Sequence, residues 1–368
     1  MVNPRVRQHQ ARVAAFQFEF GIHCLPPDVA MNWSNELLRS WFEAGGVITL
    51  ATAEETEDDD TYRKLLDLVG VGLPFSELEP TDLGPGGLLG AAAAGTSAVF
   101  ERLADALARD GWVLCDLLGP SGGEHQVWPQ VCKEGQSLLP HMKPGILESA
   151  DGTVKAGKSP SGKPRGDVYM TASEAAVKHT HDCPAPALAL LDTALGVVGH
   201  ALAPAIERHP KLGHRIRLRT DPFFKCFPGG AAEYGAHFDG GRMSEATKLT
   251  AVLYCNQNWR AEAGGQLRIL DEKGGCWRSV TPHAGRLILF LVKDCLHKVE
   301  PCHATRFALT NWWMQPNYRP GQVADVSVTV RSVHESGPQR YAMLPENAKY
   351  DVLRGLDKLQ RRTQQGKR

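Results

Sequence analysis

The chain has no excess charge of either sign, since lysine plus arginine and aspartate plus glutamate each number 41 in 368 residues. A globally basic or acidic surface is thereby excluded, and with it the bulk attraction that draws a protein to nucleic acid, anionic membrane or an acidic partner. The nine cysteines are scattered, odd in number and nowhere spaced as C-x-x-C. This excludes a disulfide framework as the basis of the fold and reads as reduced thiols inside a cell. The N-terminus lacks a continuous apolar signal region, and no later run approaches the length that crosses a bilayer, so no membrane partner is expected and the reading is cytosolic or nuclear. Its first fifteen residues contain arginine and no acid, a composition shared with organelle transit peptides. No internal repeat is evident.

What is present divides the chain. Residues 1–95 change character several times: "MNWSNELLRSWFEAG" and "TYRKLLDLVGV" carry apolar positions at helical spacing, "EETEDDD" is a solvated acidic run, and "DLGPGGLLGAAAAG" is rich in residues that break regular structure. The expectation is a partly helical accessory region. From Thr96, "TSAVFERLADALARDG" has an N-cap, helical periodicity and a terminal glycine, and is followed by the short apolar strand "WVLCDLL". A long polar stretch, "ESADGTVKAGKSPSGKPRGDVYM", precedes "ALALLDTALGVVGHALAPAIERHP", which reads as a helix interrupted near Pro204. Beyond Arg215 about seven short segments, from "RIRLRTDPFFKCF" to "TRFALTNWWMQ", are β-branched or aromatic and divided by Gly, Pro, Asn or Asp. Strands in such number without intervening helices predict an antiparallel sandwich or jelly roll. Residues 346–368 read as an amphipathic helix ending in a basic tail.

Of fourteen histidines, only His237 has a carboxylate two positions on, Asp239 in "AHFDGG". On an extended strand those positions share a face and can reach one ion. Such a pair also arises by chance, and a buried histidine is commonly a satisfied core residue. A third ligand must come from another strand, and His297, after "RLILFLVKDCL", is the candidate. Two histidines and one carboxylate with open positions suit a non-haem Fe(II) oxygenase, where metal must hold a bidentate co-substrate and dioxygen together. A dicarboxylate co-substrate needs a basic partner: Arg306, nine residues after His297, offers a planar fork, and Tyr254 can add a hydroxyl. A rival zinc set, Cys295, His297, Cys302 and His303, has the right residue types but not the usual knuckle spacing.

The segments "AHFD", "LYCNQNW", "GGQLRI", "GRLILF" and "HKVEPCHATRFALTNWW", with "RGD" upstream, resemble the 2-oxoglutarate- and Fe(II)-dependent prolyl 4-hydroxylases of the type that modifies hypoxia-inducible factor. The resemblance covers about residues 96–345. It implies a mixed α/β, mainly β catalytic core: a double-stranded β-helix, or jelly roll, braced by helices. It further implies that His237, Asp239 and His297 ligate iron, that Arg306 and Tyr254 hold the far carboxylate of 2-oxoglutarate, and that Leu267, Val299 and Trp312 line the pocket. Phe227 stands where the family commonly has a tyrosine, so one hydroxyl is lost. The polar loop ending in Arg165, Gly166 and Asp167 would fold over the substrate, and "GGRMSEATK", with Arg242, lies where the family contacts its protein substrate.

The implied activity is hydroxylation of C4 of a peptidyl proline in an intracellular protein, with Fe(II), 2-oxoglutarate and O2, ascorbate as reductant, and release of succinate and CO2. Action on another residue or a small molecule is an alternative within the same chemistry. A catalytically inert jelly-roll binding or oxygen-sensing module is the alternative from another class.

Overall fold

The computed structural model describes residues 69–71, 73–148, 165–172, 174–175, 186–239 and 247–315, with the short strands 23–25, 46–48, 154–156 and 330–332 and two residues near the C-terminus, Leu356 and Arg361. The expected helix at 31–45, that at 61–71 except for residues 69–71, which form a turn, and nearly all of the expected C-terminal helix lie outside the described residues.

In chain order the elements are β1 (His23–Leu25), β2 (Gly46–Ile48), β3 (Phe75–Glu77), α1 (Gly87–Ala94), α2 (Ser97–Asp110), β4 (Trp112–Asp116), α3 (Val127–Leu138), β5 (Lys143–Pro144), β6 (Ile146–Glu148), β7 (Val154–Ala156), β8 (Val168–Thr171), α4 (Pro186–Arg208), β9 (Leu218–Thr220), β10 (Phe223–Phe227), β11 (Ala232–His237), β12 (Thr247–Tyr254), β13 (Leu267–Asp271), β14 (Cys276–Val280), β15 (Arg286–Leu291), β16 (His297–Cys302), β17 (Arg306–Met314) and β18 (Val330–Ser332). A major sheet runs β4-β15-β12-β17-β10-β8-β5, with β9 and β18 attached beside β17, and a minor sheet runs β11-β16-β13-β14-β3. From β10 to β17 the chain passes back and forth between the two sheets, the winding of a double-stranded β-helix.

Alternation along β17 explains the layering, because successive side chains point to opposite faces of the sheet. Phe307, Leu309 and Trp313 face a core shared with the helices, whereas Ala308 faces the interior between the sheets with Phe227, Tyr254, Leu267, Ile269 and Val299. On the helical side, α2 buries Val99, Phe100, Leu103, Ala104 and Leu107, the spacing of one helix face, and ends at Gly111 in the left-handed conformation.

The observed elements differ from the sequence expectation at several points. "GPGGLLGAAAAG" forms α1: two leucines and four consecutive alanines favour helix, and Leu88 and Leu89 are fully buried against α4 and β4. Residues 75–94 thus contribute to the same body as the sheets, with β3 pairing in parallel with β14. Pro204 does not divide α4, which runs unbroken to Arg208. Pro204 lies in the last turns, so only one backbone bond is forgone, and Leu202, Ala203, Ala205 and Ile206 stay buried around it. By length and composition α4 would pass for a membrane span, but most of it is buried as the central core helix. β11 carries no β-branched residue and so gives no compositional signal.

Candidate metal centre

β11 and β16 are antiparallel neighbours, and their register sets His237 opposite His297. Two irregularities in the pairing, on either side of Tyr234, adjust the end of β11 toward that position. Asp239 lies just past the strand, in a turn, rather than two places along it as spacing suggested. Its side chain is instead fixed by β12 and β17: Thr250 Oγ1 and Trp312 Nε1 both donate to Oδ2, at 2.7 and 3.0 Å. This leaves Oδ1 turned to the histidines, 3.5 Å from His237 Nε2 and 3.7 Å from His297 Nε2.

Both imidazoles are held by the backbone. His237 Nδ1 lies 2.8 Å from the Gly235 carbonyl and His297 Nδ1 3.0 Å from that of Cys295. A carbonyl can only accept, so each Nδ1 carries the proton and each Nε2 presents a lone pair. Burial, reinforced by the neighbouring His237, lowers the His297 pKa to about 4, which keeps that ring in its ligating form. For Asp239, burial pushes the other way, but His297, His237 and Lys225 outweigh it and hold the carboxyl well below its ordinary range. The ligand atoms of His237, Asp239 and His297 lie within 4.8 Å of one another. Separations of this size suit three ligands about 2.0–2.2 Å from one ion, and the mixed imidazole and carboxylate set suits Fe(II) with positions left for exogenous ligands.

Beyond the triad lies the apolar interior between the sheets. Arg306 enters it from the start of β17, 3% exposed, its guanidinium 5.0 Å from the centres of both the Phe227 and Tyr254 rings. Among the described residues, Arg306 Nε and the Tyr254 hydroxyl are buried without a hydrogen-bond partner. Burial raises the Tyr254 phenol to about 12 despite the guanidinium beside it, so it stays a donor. Two orphaned polar groups on one wall are costly unless a ligand supplies acceptors, and a carboxylate fits both. Leu267 and Val299, paired across β13 and β16, complete the apolar lining. The residues present therefore fit both Fe(II) and a dicarboxylate.

Arg165 and Asp167, expected at the end of a loop over the substrate, are paired with each other. They make two hydrogen bonds of 2.7 Å and are each 2% exposed. The Arg165 guanidinium lies 3.5 Å from the Tyr234 ring centre, and Tyr234 stacks on His237 at 3.8 Å. The pair braces a metal ligand from behind. Gly145 is part of this arrangement, since a Cβ there would come within 2.4 Å of an Asp167 carboxylate oxygen. Arg242 lies outside the described residues. The zinc alternative has no support: the Cys295 and Cys302 thiols donate to backbone carbonyls, and burial pushes both pKa values up, away from the thiolate a metal needs. Tyr234, Thr250 and Lys225 escaped sequence reasoning; only the position of Tyr234, three residues before His237, offered a signal.

Residues 223–314 match the family model described as the 2OG-Fe(II) oxygenase superfamily. The chain is 34% identical over 112 residues to Egl nine homolog 1 of Rattus norvegicus, covering 30% of this chain and 33% of that protein. It is 31% identical over 116 residues to the hypoxia-inducible factor prolyl hydroxylase of Caenorhabditis elegans, covering 31% of this chain and 16% of that protein. The chain thus spans a third or less of the length of these two relatives. Among solved structures, a prolyl hydroxylase in complex with a hypoxia inducible factor oxygen degradation domain peptide fragment from Trichoplax adhaerens is 23% identical, with a TM-score of 0.46, over 60% of this chain and 91% of that one. The match across β10 to β17 takes in the triad, Arg306 and Tyr254 together, and over these residues the chain is similar to the 2OG-Fe(II) oxygenase superfamily.

Proposed function

We propose that the chain is a 2-oxoglutarate-dependent oxygenase that hydroxylates C4 of a proline within a protein or peptide. One observation carries the reading: the open triad of His237, Asp239 and His297 borders the same interior between the sheets as the donors of Arg306 and Tyr254 that have no partner among the described residues. Fe(II) and 2-oxoglutarate, when bound, supply the oxidising power that an unactivated C–H bond needs, with O2 consumed and succinate and CO2 released.

The residues of the chain provide binding, orientation and dryness. Arg306 and Tyr254 take the far carboxylate and so fix how deeply the co-substrate sits. Backbone carbonyls hold the two Nδ1 protons, while Thr250 and Trp312 hold Asp239, so the donor set needs little rearrangement when metal arrives. Leu267, Val299 and Phe227 exclude water from the wall facing the reacting atoms. The kinship with proteins named prolyl hydroxylases supports proline as the residue modified.

The test is turnover of purified protein with Fe(II), ascorbate and 2-oxoglutarate against a library of proline-containing peptides. The expected result is succinate formation coupled to a one-oxygen mass increase on proline, absent from Asp239→Ala. Succinate formation coupled to oxidation of another residue type would overturn the proline assignment. No coupled turnover with any peptide would favour the inert module.

A further inference from the structure

Lys225 occupies the middle of β10, on the face shared with Phe227 and Ala308 that looks into the interior between the sheets. Its backbone pairs with Ala308 of β17 and Tyr169 of β8, and Ala308 pairs in turn with Tyr254 of β12. Paired positions in an antiparallel sheet share a face, so Tyr254, Ala308, Lys225 and Tyr169 form one row across four strands. The next row toward the deep end holds Phe227 and Arg306; two rows toward the mouth, Trp312 and Thr250 pair and fix Asp239. Lys225 therefore stands between the deep carboxylate anchor and the metal ligands. Ala308 contributes only a methyl group, which leaves a slot with Tyr254 on one side and Lys225 on the other.

The ammonium is directed to the metal end, where its Nζ lies 5.2 Å from the centre of the Trp312 ring. Among the described residues it makes no hydrogen bond or ion pair. The nearby acids are already engaged: Asp167 is closed on Arg165, and Asp239 accepts from Thr250 and Trp312 while facing the histidines. Burial, with Arg165 and Arg306 nearby, lowers the Lys225 pKa, the mark of a cation short of a counter-charge. Phe227, one row deeper on the same strand, offers no hydroxyl to share the task.

We infer that Lys225 binds the carboxylate of the dicarboxylate co-substrate that lies nearer the metal triad, so that the slot grips both ends, Arg306 with Tyr254 at one and Lys225 at the other. This rests on the reading of the cavity as a 2-oxoglutarate site. A charge-assisted hydrogen bond in a partly dry slot corresponds to a tenfold to hundredfold effect on affinity, to order of magnitude about.

The experiment is calorimetric titration of 2-oxoglutarate into Mn(II)-loaded protein, comparing wild type with Lys225→Met and Lys225→Arg, and of Mn(II) alone into each apo protein. The expected result is a 2-oxoglutarate affinity about tenfold or more weaker in Lys225→Met and largely restored in Lys225→Arg, with Mn(II) affinity maintained in both. Equal 2-oxoglutarate affinity in wild type and Lys225→Met overturns the inference while leaving the function intact. So does a KM for the peptide substrate that rises instead, which would place an acidic substrate group on Lys225. Loss of Mn(II) affinity in Lys225→Met would mean a collapsed site and would also overturn it. If Mn(II)-loaded wild type binds no 2-oxoglutarate, the proposed function itself falls.

Discussion

Trp312 Nε1 donates to Asp239 Oδ2 at 3.0 Å, joining the pocket wall on β17 to a metal ligand that lies outside any strand. With Thr250 Oγ1 on the same oxygen, this bond decides which carboxylate oxygen faces the histidines. Trp312→Phe keeps an aromatic ring but removes the donor. It should weaken Mn(II) affinity about tenfold to a hundredfold, as removal of a ligand's outer partner generally does, measured by metal titration of the apo protein. Unchanged affinity would show that Thr250 alone suffices.

Asp239→Ala removes one of three ligands and a buried charge. Metal binding and metal-dependent turnover should both be lost while the far-ultraviolet circular dichroism spectrum stays that of the wild type. Retained affinity for Mn(II) would remove the triad from consideration.

Arg306→Ala leaves a buried carboxylate without its partner, so the requirement for 2-oxoglutarate should rise by about a hundredfold or more, with metal affinity unaltered. Arg306→Lys should recover part of this, since a point charge replaces a planar fork. Steady-state kinetics in 2-oxoglutarate, beside a Mn(II) titration, separates the two effects.

The ion pair behind His237 invites a double-mutant cycle. Arg165→Met and Asp167→Leu should each destabilise the protein by roughly 3–5 kcal/mol, because each removes one partner of a buried ion pair. The double variant should lose much less than the sum. Denaturant unfolding measures the three values, and simple additivity would mean the pair is not coupled.

Glu134 in α3 accepts from the first amides of α4, Ala187 N at 3.0 Å and Leu188 N at 2.9 Å, and burial raises its pKa despite these bonds. A carboxyl raised in the folded state binds protons more tightly there than in the unfolded chain. Stability from this group is therefore greatest at low pH and declines as pH rises from the ordinary glutamate pKa through the higher folded value. Glu134→Gln should flatten that part of the stability profile, as read from urea unfolding across the acid range. A slope unchanged in Glu134→Gln would assign it elsewhere.

The triad was legible because metal chemistry restricts residue type and spacing at once: one H-x-D pair, then His297, then Arg306 nine positions on. The strands from β12 to β17 were legible because each is apolar and bounded by turn residues. Other features are written only in the assembled sheet. That Arg165 and Asp167 face each other depends on burial, which "RGD" does not encode. Lys225 is an ordinary residue within "FFKCF" until the pairing of β10 with β17 sets it across from Ala308. The helix α1 was obscured by the glycines and proline around it, and the continuity of α4 by Pro204, because local propensity there yields to tertiary packing.

Alternation along β17 has a consequence for how the protein can change. Arg306, Ala308 and Trp312 face the cavity or its mouth, while Phe307, Leu309 and Trp313 meet the helical layer. The two sets interleave in nine residues yet answer to different neighbours. Ligand selectivity can therefore drift at one set of positions while the other keeps the scaffold standing, and a single strand serves both as an adjustable lining and as a fixed structural rib.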